Sequence, residues 1–167
     1  MILALDTYAS YLSKPNARSR AVAYYFLTRK DRLDFNNRAI DIISTVIKHV
    51  MSSALKAKTG ALYYGHKKAI PYRVTLEEMG HAQPGPTPVT TNNNIVHGLT
   101  MGTMNSKASK SNDMRFQWLK CREVQRLFKF LWERGVHNRA DCPSKHYPGA
   151  HHLSVRPQYV VNSVLPQ

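Results

Sequence analysis

Met51-Ser-Ser-Ala-Leu-Lys-Ala-Lys-Thr-Gly-Ala-Leu62 is the stretch from which the rest of the chain can be read. It marks a change of composition. From Ser52 onward Ala, Leu and Lys predominate, with apolar residues near Leu55, Leu62 and Ile70 at helical spacing. Pro71 is expected to kink or split this helix, because it has no backbone N–H to give. A second helical piece over 72–79 should end at Gly80, a residue suited to the left-handed turn that closes helices.

Upstream, residues 2–10 read as a first strand, and Lys14-Pro15-Asn16 as a turn. Residues 20–28, rich in Val, Tyr and Phe, read as a second strand, and 39–49, with Ile40, Ile42, Ile43, Val46 and Ile47, as a third; charged 29–37 connects them. Downstream, 81–86 is loop, 87–92 a fourth and central strand, 95–101 a short helix, and 105–112 a polar loop. Asp113 suits a helix start, with Phe116, Leu119 and Val124 on its apolar face. Residues 127–133 alternate as an outer strand would, and Gly135 closes it. The order predicts an α/β fold with a mixed five-stranded sheet flanked by helices, a domain over 1–148, and an irregular tail over 149–167 carrying Pro157 and Pro166.

Several local motifs sharpen this. Ala9-Ser-Tyr-Leu-Ser13, Pro15 and Ala17-Arg-Ser-Arg-Ala21 open the chain. Leu76-Glu-Glu-Met-Gly-His81, Thr87-Pro-Val-Thr-Thr-Asn-Asn93, Asp113-Met-Arg-Phe-Gln-Trp118 and Asn138-Arg-Ala-Asp141 with Lys145-His146 follow. With the central stretch, they resemble the RNase H domain of copia-type LTR retroelement polyproteins, in the same order and over nearly the whole chain. The resemblance implies an RNase H-like fold. It also implies four metal-binding acids, and the flanking residues place them at Tyr8, Lys58, Asn92 and Asp141. Three of the four are therefore not acids here.

The family's chemistry, as the resemblance implies it, uses two magnesium ions to activate water and stabilise the leaving oxygen of an RNA phosphodiester. Magnesium requires hard oxygen ligands in near-octahedral array. Four carboxylates would carry four negative charges, whereas Tyr8, Lys58, Asn92 and Asp141 together carry none. An ammonium about 4 Å from the ion would be repelled by several kcal/mol at an effective dielectric near 20. The expectation is a pseudo-RNase H with no catalytic residue, no cofactor and no metal. Asp6 lies two residues before Tyr8 and so faces the same side of a strand, but nearly 7 Å along it. It is expected to be a strand-end acid paired with a nearby base or hydrated.

The length and the 43% apolar content suit one core. Lys plus Arg number 24 against 10 Asp plus Glu, a formal net charge of +14 that points to a polyanionic partner. Cys121 and Cys142 lie far apart outside any paired motif, so no disulfide framework is indicated. His146 and His151 have a zinc-like spacing, but no thiolate pair accompanies them. The N-terminus has no signal-peptide pattern and no apolar run reaches the length of a membrane span, so an intracellular, soluble protein is expected.

Phosphate contacts do not depend on catalytic acids, so binding can outlive chemistry. The candidate contacts are Arg18, Arg20, Lys58, Lys107, Lys110, Arg115, Arg139, Lys145 and His146. Each alone is worth little; their sum should give salt-dependent binding with little sequence preference. Tyr8, Tyr24, Tyr25 and Phe26 have strand spacing and are expected in the sheet rather than as a stacking platform. With Met1 opening the first strand and no reverse transcriptase ahead of it, the chain is expected to be free-standing and recruited. The expected role is a non-catalytic RNA or RNA–DNA binding module, a structural part of a ribonucleoprotein such as a ribosome, with protein neighbours there. The alternatives are a weakly active metal-dependent ribonuclease H using Asp6, Asp141 and a further acid, and a protein-interaction scaffold or element remnant without a ligand.

Overall fold

The computed structural model describes residues 1–31, 38–92, 98 and 114–160, apart from the side chain of Val136. The elements are β1 (Ile2–Lys14), β2 (Arg18–Thr28), β3 (Ala39–Val46), α1 (Ala54–Glu78), β4 (Thr87–Thr91), α2 (Met114–Val124), β5 (Phe128–Trp132) and α3 (Gly149–Tyr159), with 3-10 turns at Gly135–His137 and Cys142–Ser144. The sheet order is β3-β2-β1-β4-β5. β1 pairs antiparallel with β2, and β2 with β3, whereas β1–β4 and β4–β5 are parallel. This is the mixed five-stranded sheet with flanking helices that the element order predicts. The expected elements over 95–101 and 105–112, and Asp113, lie outside the described residues.

The strand pleat divides the side chains between two faces. Leu3, Leu5, Ala23, Tyr25, Val89, Phe128 and Phe130 face α1 and α2, and close a core with Leu62, Ala69 and Leu119. Ala4, Val22, Tyr24 and Phe26 face the other way, with Ala140, Tyr8 and Tyr159. Tyr24, Tyr25 and Phe26 are thus core residues, as their spacing predicts.

α1 begins where the composition changes. Ser53 is its N-cap, and its hydroxyl accepts from the Lys56 amide at 3.2 Å. Gly65 lets the helix approach the sheet closely, because a Cβ there would stand 3.1 Å from Leu5 Cδ1 and Thr7 Cγ2. The tail of α1 is where expectation and structure differ, since the helix runs unbroken through Pro71 to Glu78. Pro71 and Lys67, whose carbonyl loses its donor, are both solvent-exposed. The helix beyond is held from the side: Tyr72 Oη donates to Asp41 Oδ2 at 2.5 Å, and Arg73 donates to Gly85 O at 2.7 Å and Thr87 Oγ1 at 3.1 Å. Gly80, at φ +84°, then ends it as expected.

Two further expectations are corrected. Residues 149–160 are not an irregular tail, because Gly149–Tyr159 is a helix preceded by Pro148 at its N-cap, where a missing N–H costs nothing. It docks on the sheet through Tyr159, whose ring meets Tyr24 edge-on at 5.5 Å and whose hydroxyl donates to Arg139 O at 2.5 Å. On α2, Leu119 is buried as expected, but Val124 is 82% exposed and Trp118 packs on the core in its place. Val124 ends the helix and falls off the face defined by Trp118 and Leu119.

Candidate nucleic-acid interface

Tyr8 lies on the sheet face away from α1, opposite Val22 of β2. Two ammoniums flank its ring. Lys58 Nζ, from the first turns of α1, stands 5.9 Å from the ring centroid, and Lys145 Nζ, from the segment after Cys142–Ser144, stands 4.9 Å away. Asp141 caps that turn, accepting from the Ser144 amide at 3.0 Å through its carbonyl. Its carboxylate is already engaged, with Lys145 Nζ 2.7 Å from Oδ1 and Tyr147 Oη donating to Oδ2 at 2.6 Å.

The electrostatics follow from this crowding. Burial is the largest influence on Lys58 and lowers its pKa, and the charge of Lys145 lowers it further against the partial compensation of Asp141. Burial also pulls Lys145 down, but hydrogen bonds to Asp141 and Tyr8 outweigh it and hold the ammonium well above its ordinary value. Lys58 makes no ion pair among the described residues. The site therefore holds two ammoniums and one carboxylate, a net single positive charge, with Lys145 paired to Asp141 and Lys58 in no ion pair among the described residues.

Three of the four motif positions, Tyr8, Lys58 and Asp141, come together here. Asn92 follows Thr91, the register partner of Thr7 on β1, so it leaves β4 beside the strand that carries Tyr8. A Cβ on Gly135 would stand 3.1 Å from its Nδ2, and its Oδ1 is buried without a hydrogen-bond partner among the described residues. These side chains do not fit a magnesium pair: one carboxylate is present, both of its oxygens are engaged, and two ammoniums stand beside it.

Asp6 is central in β1 rather than at its end, and fully buried. It is paired with a base: Oδ2 accepts from the Arg139 amide at 3.2 Å and Nη1 at 3.1 Å. Burial pushes its pKa up to about 6, although the Arg139 charge and hydrogen bonds pull it down; Glu133 adds a smaller upward push. Among the described residues no three His, Cys, Asp or Glu side chains gather as metal ligands.

The remaining candidates divide between the site and the scaffold. His146 Nε2 lies 3.3 Å from the Nζ of Lys14, the last residue of β1. Arg18 is exposed at the start of β2, and Arg20 Nη1 donates to Ser44 Oγ at 3.0 Å. Arg115 packs between the helices, its guanidinium 5.9 Å from both the Tyr63 and Tyr64 rings. Arg139 is held by Asp6 and stacked over Phe26 at 4.7 Å. Lys107 and Lys110 lie outside the described residues. Tyr147 belongs to the site without having been singled out in the sequence, because it sits six residues past Asp141, a spacing with no motif.

No protein-family model and no curated protein matches the sequence. Solved structures do match in shape. LC11-RNase H1, determined in complex with an RNA/DNA hybrid, superposes with a TM-score of 0.60 at 13% identity, over 83% of this chain and 91% of that one. The RNase H domain of PFV gives 0.55 at 15% identity over 96% of both chains. The N-terminal RNase H domain of rv2228c from Mycobacterium tuberculosis gives 0.55 at 14% identity, over 85% of this chain and 91% of that one. With this strand order, helix placement and end-to-end coverage, the chain folds as an RNase H-like domain.

Proposed function

We propose that the chain is a non-catalytic RNase H-like module that holds RNA or an RNA–DNA hybrid by its backbone phosphates, as a structural component of a ribonucleoprotein. The observation that carries this reading is the half-buried ammonium of Lys58 at Tyr8, in no ion pair among the described residues, beside an Asp141 carboxylate already engaged by Lys145 and Tyr147. Burial and the charge of Lys145 each disfavour the charged form of Lys58. A phosphate oxygen beside Lys58 would offset both and make a charge-assisted hydrogen bond. The formal charge of +14 supplies the longer-range attraction. A structural neighbour, LC11-RNase H1, has been solved with an RNA/DNA hybrid, and the same ligand class is assigned here to a site with altered chemistry.

The retroelement resemblance supports this origin, and the substituted acid positions support loss of hydrolysis. The test is a labelled RNA–DNA hybrid incubated with magnesium or manganese, beside a salt-dependent binding titration. Binding without cleavage is expected. Cleavage abolished by Asp141→Asn would establish the weak ribonuclease instead, and absence of binding at moderate salt would favour the scaffold.

A further inference from the structure

A cavity of about 690 Å³ lies beside α3, whose Pro157 and Gln158 help to line it. Ala4, Phe26, Pro88 and Leu131 give it apolar lining beside polar surface of similar extent. Arg38, Glu133 and Arg139 bring charge to its walls. It shares no lining residue with the Tyr8 site and so stands apart from the phosphate reading.

Three features suggest a built cavity rather than a surface crease. Arg38 has its backbone in the left-handed region, at φ +66°, which a non-glycine residue adopts at a cost and which tends to occur at functional sites. Its Nε is buried with no hydrogen-bond partner among the described residues. Beside it, Arg139 is locked in position by the buried Asp6 and stacked on Phe26, and Asp6 Oδ1 is itself buried without a partner. The volume lies within the range of small-ligand sites.

The lining selects the ligand. The two guanidiniums are balanced by Asp6 and Glu133, so the cavity is not an anion trap. It suits a flat body with apolar faces whose edge carries both acceptors for Arg38 and donors for Glu133, and a nucleobase has that combination. Guanine has it most fully, because O6 and N7 accept from a single guanidinium while N1–H and N2–H donate to a carboxylate. We propose that this cavity takes one unstacked guanine from a single-stranded segment of RNA, reading its edge with Arg38 and Glu133. Unstacked bases in single strands are what RNA-binding domains read in this way.

The test is calorimetric titration at about 0.5 M salt, where phosphate contacts are largely suppressed. The ligands are the four nucleoside monophosphates, a short uridine tract with one guanine, and the same tract without it. GMP and the guanine-containing tract should bind, the tract more tightly; equal affinity would overturn the RNA source and leave a free-nucleotide site. Arg38→Ala and Glu133→Gln should each weaken binding roughly tenfold, the loss expected for a hydrogen bond to a charged group. Lys67→Ala, at an exposed lysine of α1 outside both sites, should leave it unchanged. Equal affinity for all four nucleotides, no binding, or insensitivity to both cavity variants would overturn the proposal.

Discussion

Removing the carboxylate of Asp6 should reveal a pH dependence of stability that the wild-type protein conceals. Asp6 is fully buried and its pKa is raised from 3.8 to about 6, chiefly by burial and against the pull of Arg139. His66, also fully buried, lies 4.3 Å from the Phe128 ring, and its Nδ1 is 2.6 Å from Leu62 O. Burial lowers its pKa from 6.5 to about 4, and the hydrogen bond to Leu62 only partly opposes this. The two signs are opposite. A raised carboxyl contributes stability that is present below pH 3.8 and lost as pH rises through about 6, whereas a depressed imidazole contributes stability present above 6.5 and lost as pH falls through about 4. At about 1.4 kcal/mol per pH unit, each gap amounts to about 3 kcal/mol. Between pH 4 and 6.5 the two nearly cancel. Asp6→Asn removes one of them, so its stability should rise by about 3 kcal/mol from pH 4 to 6.5 relative to the wild-type curve. Urea midpoints measured at half-unit pH steps give the comparison, and the readout is the difference in slope, not the absolute loss from disturbing Arg139. Contributions from Asp41 and Glu123 are common to both proteins and drop out. If the two curves ran parallel across this window, the burial argument for Asp6 would be refuted.

Other consequences can be checked separately. Lys58→Glu should weaken binding of an RNA–DNA hybrid about tenfold at low salt and reduce the slope of log affinity against log salt by roughly 0.7–0.9, the share of one phosphate contact; an unchanged or tighter affinity in a filter-binding series would remove Lys58 from the interface. Gly65→Ala should lower stability by about 1–2 kcal/mol in thermal denaturation, because Leu5, Thr7 and Ala23 leave its Cβ no more than 3.3 Å; a stabilised variant, as helix propensity alone predicts, would show that the helix can lift off. Ending the chain after Pro148 should cost about 3 kcal/mol or more, since Tyr24 and Ala140 lose the cover of Tyr159; an unchanged urea midpoint would show α3 to be an ornament. Tyr159→Phe, which keeps the ring but deletes the hydroxyl donated to Arg139 O, should cost about 1 kcal/mol by the same assay.

Local patterns were enough for much of the fold. The β-branched and aromatic runs of β1 to β3, the composition change at Ser53 and the left-handed stop at Gly80 are written in residue types with strong backbone preferences. Pro71 and Pro157 misled for one physical reason. A proline inside a helix costs a hydrogen bond, but the loss is borne where the flanking turns are anchored by groups distant in sequence, here Asp41 and Gly85 for α1 and Tyr24 and Arg139 for α3. The candidate site was legible in part. Tyr8, Lys58 and Asp141 were placed by motif, whereas Arg115 and Arg139, equally basic in sequence, became packing and ion-pair residues once Tyr63, Tyr64, Phe26 and Asp6 were around them.

What the amino-acid sequence determined unaided is the order of the five strands, the excess of positive charge, and the absence of acids at Tyr8, Lys58 and Asn92, because propensity, charge and side-chain chemistry belong to each residue alone. What only the tertiary structure decided is which charges meet. Residues 8, 58, 141, 145 and 147 converge because β1, the first turns of α1 and the turn at Cys142–Ser144 bring them within a few ångströms. Whether a lysine is a solvated surface charge or half of a phosphate clamp depends on that distance and on burial, and neither is a property of the residue itself.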